Sequence, residues 1–356
     1  MAKQAAPAAR ALKFCKKGEN TPAAPCRTMK KSLLPILSAL LPALVWGQGI
    51  ATSFQVMRLP ASAHVAALGG EHISLAADDA PSVGFANPAL YAGAASNAVG
   101  LQYMTMPAGG SHFGAQYVRA FGDRHTAAVT AACLSYGSMD ETDQQGVKSG
   151  TFTPKDIQLG VGYSYLLSDL VSGGASLKMV SSSYGSYSSL ALAVDLGLNY
   201  YDPDLDLSLS AALQNIGRQV KTFDEGGPRQ HLPFNAVVGG SFALAHAPVR
   251  LTVTMTDLTR WSQKDYFTAS GAKLGFGRML ANHFVVGADV VVSESITLSA
   301  GYNLRRAYEL KQAGESHWAG LSGGATLSLR RFKFGVSYAQ YALSSASLGV
   351  NAAYVF

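Results

Sequence analysis

The chain has 356 residues, 48% hydrophobic and only 14% charged, with 28 Lys and Arg against 22 Asp and Glu. A soluble domain usually carries about a quarter charged residues, and no uninterrupted apolar run of about 18 residues occurs beyond the N-terminal region, which argues against a helical membrane protein. The formal charge of +6 hints at an anionic partner, but its distribution along the chain removes that hint.

From Met29 the sequence reads MKKSLLPILSALLPALVWGQG. Lys30 and Lys31 precede an apolar core from Leu33 to Leu44, and Val45-Trp46-Gly47 ends on a small residue, the pattern of a secretory signal peptide cleaved before Gln48. Residues 1–28 then read as an upstream extension and 29–47 as the signal peptide. Eight of the 28 basic residues and one of the 22 acids lie before Gln48, so 20 and 21 remain and the mature charge is −1. Nucleic-acid binding loses its support with them. Cys15 and Cys26 fall in the leader as well, leaving Cys133 alone and no internal disulfide.

Residues 48–97 show no long alternation, yet they carry Phe54, Val56, Leu59, Leu68, Ile73, Leu75, Phe85, Leu90 and Tyr91. That is too apolar for a solvated tail, so the segment reads as a plug folded inside the C-terminal remainder of the chain.

That remainder alternates with period two from about Val99 onward. Ile157, Leu159, Val161, Tyr163 and Tyr165 interleave with Gln158, Gly160, Gly162 and Ser164, and Leu190 to Tyr200 repeats the pattern. A β-sandwich also alternates, but its strands are typically about 5–6 residues long, whereas a membrane-crossing strand needs about 9–11. Large apolar residues on one parity and Gly, Ala, Ser, Asn or Asp on the other fit a wall facing lipid outside and a lumen inside. Fourteen strands are expected, at 98–104, 111–121, 125–136, 154–167, 171–181, 189–201, 205–214, 234–244, 249–258, 283–292, 296–304, 319–329, 333–341 and 347–356. The long connections, 137–153, 215–233, 259–282 and 305–318, all fall on one side, with short turns on the other. Gly271–Leu280 is assigned to a long loop, because a fifteenth strand there would break that alternation. The fold class is therefore all-β: a 14-stranded antiparallel transmembrane β-barrel with an N-terminal plug. The last strand, ASLGVNAAYVF, ends on Phe356, an aromatic that reads as an assembly signal for an outer-membrane barrel, with both termini periplasmic.

No HExxH, Cys-x-x-Cys or phosphate-binding GxxxxGK[ST] pattern occurs, so no enzyme and no cofactor is expected. His64, His72, Asp78 and Asp79 could be assembled into a metal site, but a turn in the plug explains them more simply. Lys178, Asp195, Asp206 and Asp289 take inward parity; they line a solute path or pair with one another and the plug, since buried charges need partners. On the long loops, Arg218, Phe223, Arg229, Arg260, Trp261, Tyr266, Arg305, Arg306 and Trp318 are the residue types that anchor interfaces. Trp261 and Trp318 fit an aromatic girdle equally well, and Arg305-Arg306 could meet lipopolysaccharide phosphates.

The stretch RLPASAHVAALGGEHISLAADDAPSVGFANPAL (Arg58–Leu90), with its Asn87-Pro88-Ala89 motif, resembles the N-terminal region of the FadL-like barrels of Bacteroidetes. DIQLGVGYSYLLSDLVSGGASLKMVSSS, ALAVDLGLNY and AALQNIG are similar to that family's core strands. TDLTRW (Thr256–Trp261), GYNLRR (Gly301–Arg306) and the closing strand most resemble its PorV/PorQ members of the type IX secretion system, on the PorQ side; Ala269–Arg278 departs from the pattern. The resemblance implies a non-enzymatic outer-membrane component of the attachment complex. Such a barrel would hold a PorZ-like surface protein, alongside PorU and PorV, while cargo is processed and linked to lipopolysaccharide. The alternative is a FadL-like transporter of hydrophobic solutes.

Overall fold

The computed structural model describes residues 53–356 apart from 77, 79, 95, 107–108, 144, 267–272, 311–317 and 343–344. The expected upstream extension and signal peptide, and the first residues of the expected plug, lie outside the described residues.

Sixteen strands form: Ala98–Thr105 (β1), Ser111–Phe121 (β2), His125–Ser135 (β3), Met139–Thr142 (β4), Lys148–Phe152 (β5), Lys155–Leu166 (β6), Val171–Tyr184 (β7), Tyr187–Asp202 (β8), Leu207–Lys221 (β9), Asn235–Ala243 (β10), Val249–Met255 (β11), Phe284–Ser293 (β12), Ile296–Asn303 (β13), Leu321–Leu329 (β14), Phe332–Ala342 (β15) and Ser345–Val355 (β16). Fourteen of them close into one antiparallel barrel, with β16 pairing β1 from Ala98↔Val355 to Met104↔Gly349. The other two, β4 and β5, make a separate hairpin inside the expected loop 137–153. Closure leaves no unpaired strand edge, the condition for a sheet in lipid. Among the described residues no helix is long and apolar enough to cross a membrane; the strands do.

Alternation sets the two faces. Along β6, Ile157, Leu159, Val161 and Tyr163 are about half exposed while Asp156, Gln158 and Ser164 are fully buried. The outward residues form the apolar band that meets lipid. Short turns at 122–124, 203–206 and 330–331 gather at one end, and the long connections gather at the other.

The structure departs from the expected boundaries where local chemistry intervenes. β9 continues to Lys221 rather than stopping at Gln214, because Asn215 takes φ 59 and makes a bulge that lets the ladder to β8 resume from Val194↔Ile216. Within the long loop expected to hold Gly271–Leu280, the described residues from Lys273 lead into a short helix, Phe276–Ala281 (α2). Leu304–Glu309 (α3), capped by the Asn303 side chain on the Arg306 N–H at 2.9 Å, opens the next long loop.

A plug occupies the lumen. After a 3₁₀ turn at Gln55–Arg58 comes helix Ala63–Ala67 (α1), N-capped by Ser62, then 3₁₀ turns at Val83–Phe85 and Pro88–Gly93. So little regular structure leaves many carbonyls unpaired, and buried carbonyls need donors. The wall supplies them: Gln102 donates to Pro60 O at 3.0 Å, Ser322 to Ala67 O at 2.8 Å, Ser241 to Ser74 O at 2.7 Å, Gln214 to Ala86 O at 2.8 Å and Ser172 to Ala89 O at 3.0 Å. The plug's Phe54, Leu68, Ile73 and Tyr91 are essentially fully buried, each contributing about 1.5–3 kcal/mol.

Small wall residues admit the plug. A Cβ on Gly301 would collide with the backbone of Leu68 and Gly69, and one on Gly174 with Pro88 and Ala89. At Gly323 the nearest heavy atom to a new Cβ is Ser299 O at 3.6 Å. Gly301→Ala is accordingly expected to destabilise the barrel by about 1–3 kcal/mol and Gly323→Ala by less than about 0.5 kcal/mol. Urea unfolding in detergent checks this; equal effects would contradict the fit of plug to wall.

Candidate functional site

Two polar clusters fasten the plug, and a cleft opens above one of them. The deeper cluster centres on His64 of α1. Its Nδ1 lies 3.0 Å from Asp78 Oδ2 and its Nε2 lies 3.0 Å from Asp289 Oδ1, on β12. Both ring nitrogens face carboxylates, which only the imidazolium satisfies, as it donates from both. Lys333 adds a bond to Asp78 Oδ1 at 3.1 Å, and Ser299 donates to Asp289 Oδ1 at 2.6 Å. Burial disfavours the charged ring, but the bonds with Asp289 and Asp78 outweigh it and raise His64 to about 10. Asp78 is held far below the usual carboxylate range by Lys333 and His64 despite its burial. His72 is a different case. Its Nε2 meets Leu68 O and its Nδ1 meets the Thr254 hydroxyl, and burial pushes it down to about 4, so it is neutral. The two histidines therefore do not converge on one ligand set, and Asp79 lies outside the described residues.

The second cluster sits at the long-loop end, around Asp257. This carboxylate is 2% exposed and accepts from Arg58 of the plug at 3.0 Å and from Arg305 of α3 at 2.5 Å, with Arg260 Nε at 3.5 Å. Arg58 also reaches Glu71, and Arg305 reaches Glu309 at 3.0 Å. Burial works against the charge, yet the guanidiniums of Arg58, Arg260 and Arg305 hold Asp257 below the usual carboxylate range. One acid thus joins the plug, the β11–β12 loop and α3.

Above this cluster lies a cleft of about 560 Å³. Leu59, Pro60, Met106, Leu134, Tyr136 and Met139 form its apolar side; Arg58, Glu71, Arg305, Arg306 and Glu309 form its polar side. Between plug and wall, a small cavity of about 50 Å³ is bounded by Arg58, Pro60, Glu71, Phe85 and Lys178. Outside, on the lipid-facing side of β16, β1, β2 and β3, small residues such as Ala115, Ala131 and Ala352 leave an apolar depression of about 710 Å³ between Leu101, Phe113 and Val350.

The residues singled out in the sequence separate into three groups. Lys178 and Asp195 form a buried ion pair, with Asn215 N–H donating to Asp195 at 2.7 Å and Phe85 of the plug 5.0 Å from the Lys178 ammonium. Asp289 pairs with His64. Asp206 does not line the lumen: β9 begins at Leu207, so Asp206 sits in the short turn at φ 44, bonded to Arg250 at 2.7 Å. Asn87, Pro88 and Ala89 lie at the wall, where Asn87 accepts from Ala89 N–H and donates to Ile73 O while Gly174 and Gly197 make room.

Of the proposed docking residues, three are not available as surface anchors. Arg260 and Tyr266 are 7% and 4% exposed, and Arg305 is engaged by Asp257 and Glu309. Tyr266 donates to Arg260 O at 2.6 Å and lies under the Arg305 guanidinium. That also removes Arg305 as a partner for lipid phosphates, while Arg306 lies against Gly70 of the plug. Arg218 is on β9, exposed, rather than in a loop, and Arg229 is exposed in the loop. Phe223 stacks on Tyr184 at 5.2 Å. Trp261 is 41% exposed and stacks on Phe276; Trp318 is 70% exposed. Phe356 is exposed and meets Tyr354 edge-on at 4.9 Å.

Asp257, Arg58 and Glu71, which carry the mouth cluster, lie within TDLTRW and the Arg58–Leu90 stretch, but no residue pattern there marks them as a charge cluster. Their only signal was rarity, since a chain this poor in charge places few ions near a strand end without reason.

No family model matches the chain, and no curated protein matches it in sequence. Solved structures match its fold. The toluene transporter TodX of Pseudomonas putida is 14% identical with a TM-score of 0.53, over 84% of this chain and 98% of that one. A FadL homologue of Pseudomonas aeruginosa is 14% identical at 0.50, over 87% and 100%. The monoaromatic hydrocarbon channel CymD is 12% identical at 0.51, over 85% and 99%. At such identities the likeness is one of architecture: this chain has the fold of the FadL-like outer-membrane barrels, a class of membrane-spanning proteins with a plugged lumen.

The His64 latch has a calculable pH dependence. Its pKa is raised above the ordinary 6.5, so its stabilisation is complete below about 6.5 and is lost as pH rises through about 10. His64→Gln is therefore expected to lower stability markedly at pH 6 to 8 and little above pH 10, as measured by urea unfolding across that range. A difference independent of pH would contradict the charged latch.

Proposed function

We propose that the chain is an outer-membrane channel that passes small hydrophobic solutes along the seam between plug and wall. The observation that carries this reading is the long-loop cleft, whose apolar side ends on the plug rather than on open lumen. A solute received there would be desolvated by Met106, Leu134 and Met139 before meeting the Arg58–Asp257 gate residues. The structural likeness to a toluene transporter and a monoaromatic hydrocarbon channel points the same way.

A second reading is favoured by a separate observation, the exposed aromatics Trp261, Phe276 and Trp318 around the long-loop end. In that reading the barrel anchors a PorZ-like surface partner, with PorU and PorV, in a type IX attachment complex that links cargo to lipopolysaccharide. The two make opposite demands on the cleft. Filling it with Leu134→Trp and Met139→Trp is expected to reduce uptake of a labelled monoaromatic compound to the level of a strain lacking the gene, with surface retention of the partner unchanged. Normal uptake alongside lost retention would overturn the channel in favour of the anchor.

A further inference from the structure

Three carboxylates on the barrel strands are fully buried: Asp156, Asp195 and Asp289. Two have cations, Lys178 and His64. Among the described residues no Lys, Arg or His pairs with Asp156. It is held instead by hydroxyls: Tyr136 donates to Oδ2 at 2.7 Å, and Ser182 and Tyr184 donate to Oδ1 at 2.5 and 3.0 Å. Three donors converging on two oxygens are what an ionised carboxylate accepts, so a buried negative charge remains without a countercharge.

The rings of those same two tyrosines line a pocket of about 440 Å³ at the long-loop end, together with Phe54 and Phe152. Tyr136 and Tyr184 meet edge-on at 5.9 Å, and Phe223 stacks behind Tyr184. Each tyrosine spends its proton on Asp156, so its oxygen keeps its lone pairs and gains electron density. The pocket is therefore lined by aromatic rings whose phenol oxygens are polarised by a carboxylate one hydrogen bond behind them. That environment attracts a diffuse, weakly hydrated positive charge. A compact inorganic cation would require direct oxygen ligands, which the shielded carboxylate does not offer.

We infer that this aromatic pocket over Asp156 is a binding site for small organic cations of the alkylammonium class. The site adjoins the cleft, since Tyr136 and Met139 line both, but it does not rest on the transport reading: its charge is Asp156 of β6, and its rings are those of Tyr136 just after β3, Phe152 of β5, Tyr184 of β7 and Phe54 of the plug. Choline and its neutral isostere 3,3-dimethyl-1-butanol separate the charge from the shape. With the purified full chain in detergent, calorimetric titration is expected to show choline binding about tenfold or more tightly than the alcohol. Asp156→Asn is expected to abolish that preference while leaving the alcohol's affinity unchanged. Equal affinities, tighter binding of the alcohol, or no measurable choline binding would overturn the assignment. If Asp156→Asn does not assemble, the comparison in the unaltered chain, with Phe152→Ala as the folded control that weakens choline binding, still decides it.

Discussion

A backbone crossing lipid has nowhere to leave an N–H or C=O unpaired, so the sheet must close, and closure at fourteen strands leaves an interior wider than the wall's own side chains can fill. Most of the features that distinguish this protein derive from that one constraint. The lumen is filled by the chain's own N-terminal segment, and the filling is irregular, so its carbonyls depend on Gln, Ser and Asn side chains of the wall. The wall in turn gives up side chains where the plug comes closest, at Gly174, Gly197 and Gly301.

The same constraint governs the charges. Removing one partner of a buried ion pair costs about 3–5 kcal/mol, which makes paired ions effective fasteners for a plug that has little secondary structure of its own. His64 joins α1 to β12, and Asp257 joins the plug to two long-loop segments. Between these fixed points, Lys178 sits against Phe85 beside a cavity of about 50 Å³. On the channel reading proposed above, a solute would pass this seam by local displacement of side chains at the mouth rather than by withdrawal of the whole plug.

The barrel was legible in the sequence because period-two alternation is written directly into residue type. Strand number and the alternation of long and short connections derive from it, and the plug was legible because residues 48–97 lack that alternation yet are too apolar for a solvated tail. The errors arose where the backbone rather than the pattern decides. Asn215 in a left-handed conformation extends β9, which carries Arg218 onto a strand, and the tight turn before Leu207 removes Asp206 from the lumen. The mouth was harder still. Arg260, Tyr266 and Arg305 are the residue types of an interface, yet Asp257 engages the two arginines and Tyr266 is spent on Arg260 O and His283. Nothing short of three-dimensional proximity distinguishes an arginine that waits for a partner from one already engaged by a carboxylate 48 residues away.

The plug is seated against the closing strand inside the barrel, and a cross-link tests that placement most directly. A Cβ on Gly349 would stand 3.9 Å from the Ala63 Cβ, within the spacing of about 3.5–4.5 Å that a disulfide requires. The double variant Ala63→Cys/Gly349→Cys, with Cys133 replaced by Ser and with Ser337, whose Oγ would stand 2.5 Å from the new Cβ, replaced by Ala, is expected to oxidise fully in the folded membrane protein, as read by mass spectrometry of the linked peptides. A folded barrel in which the two thiols stay reduced under mild oxidation would contradict it.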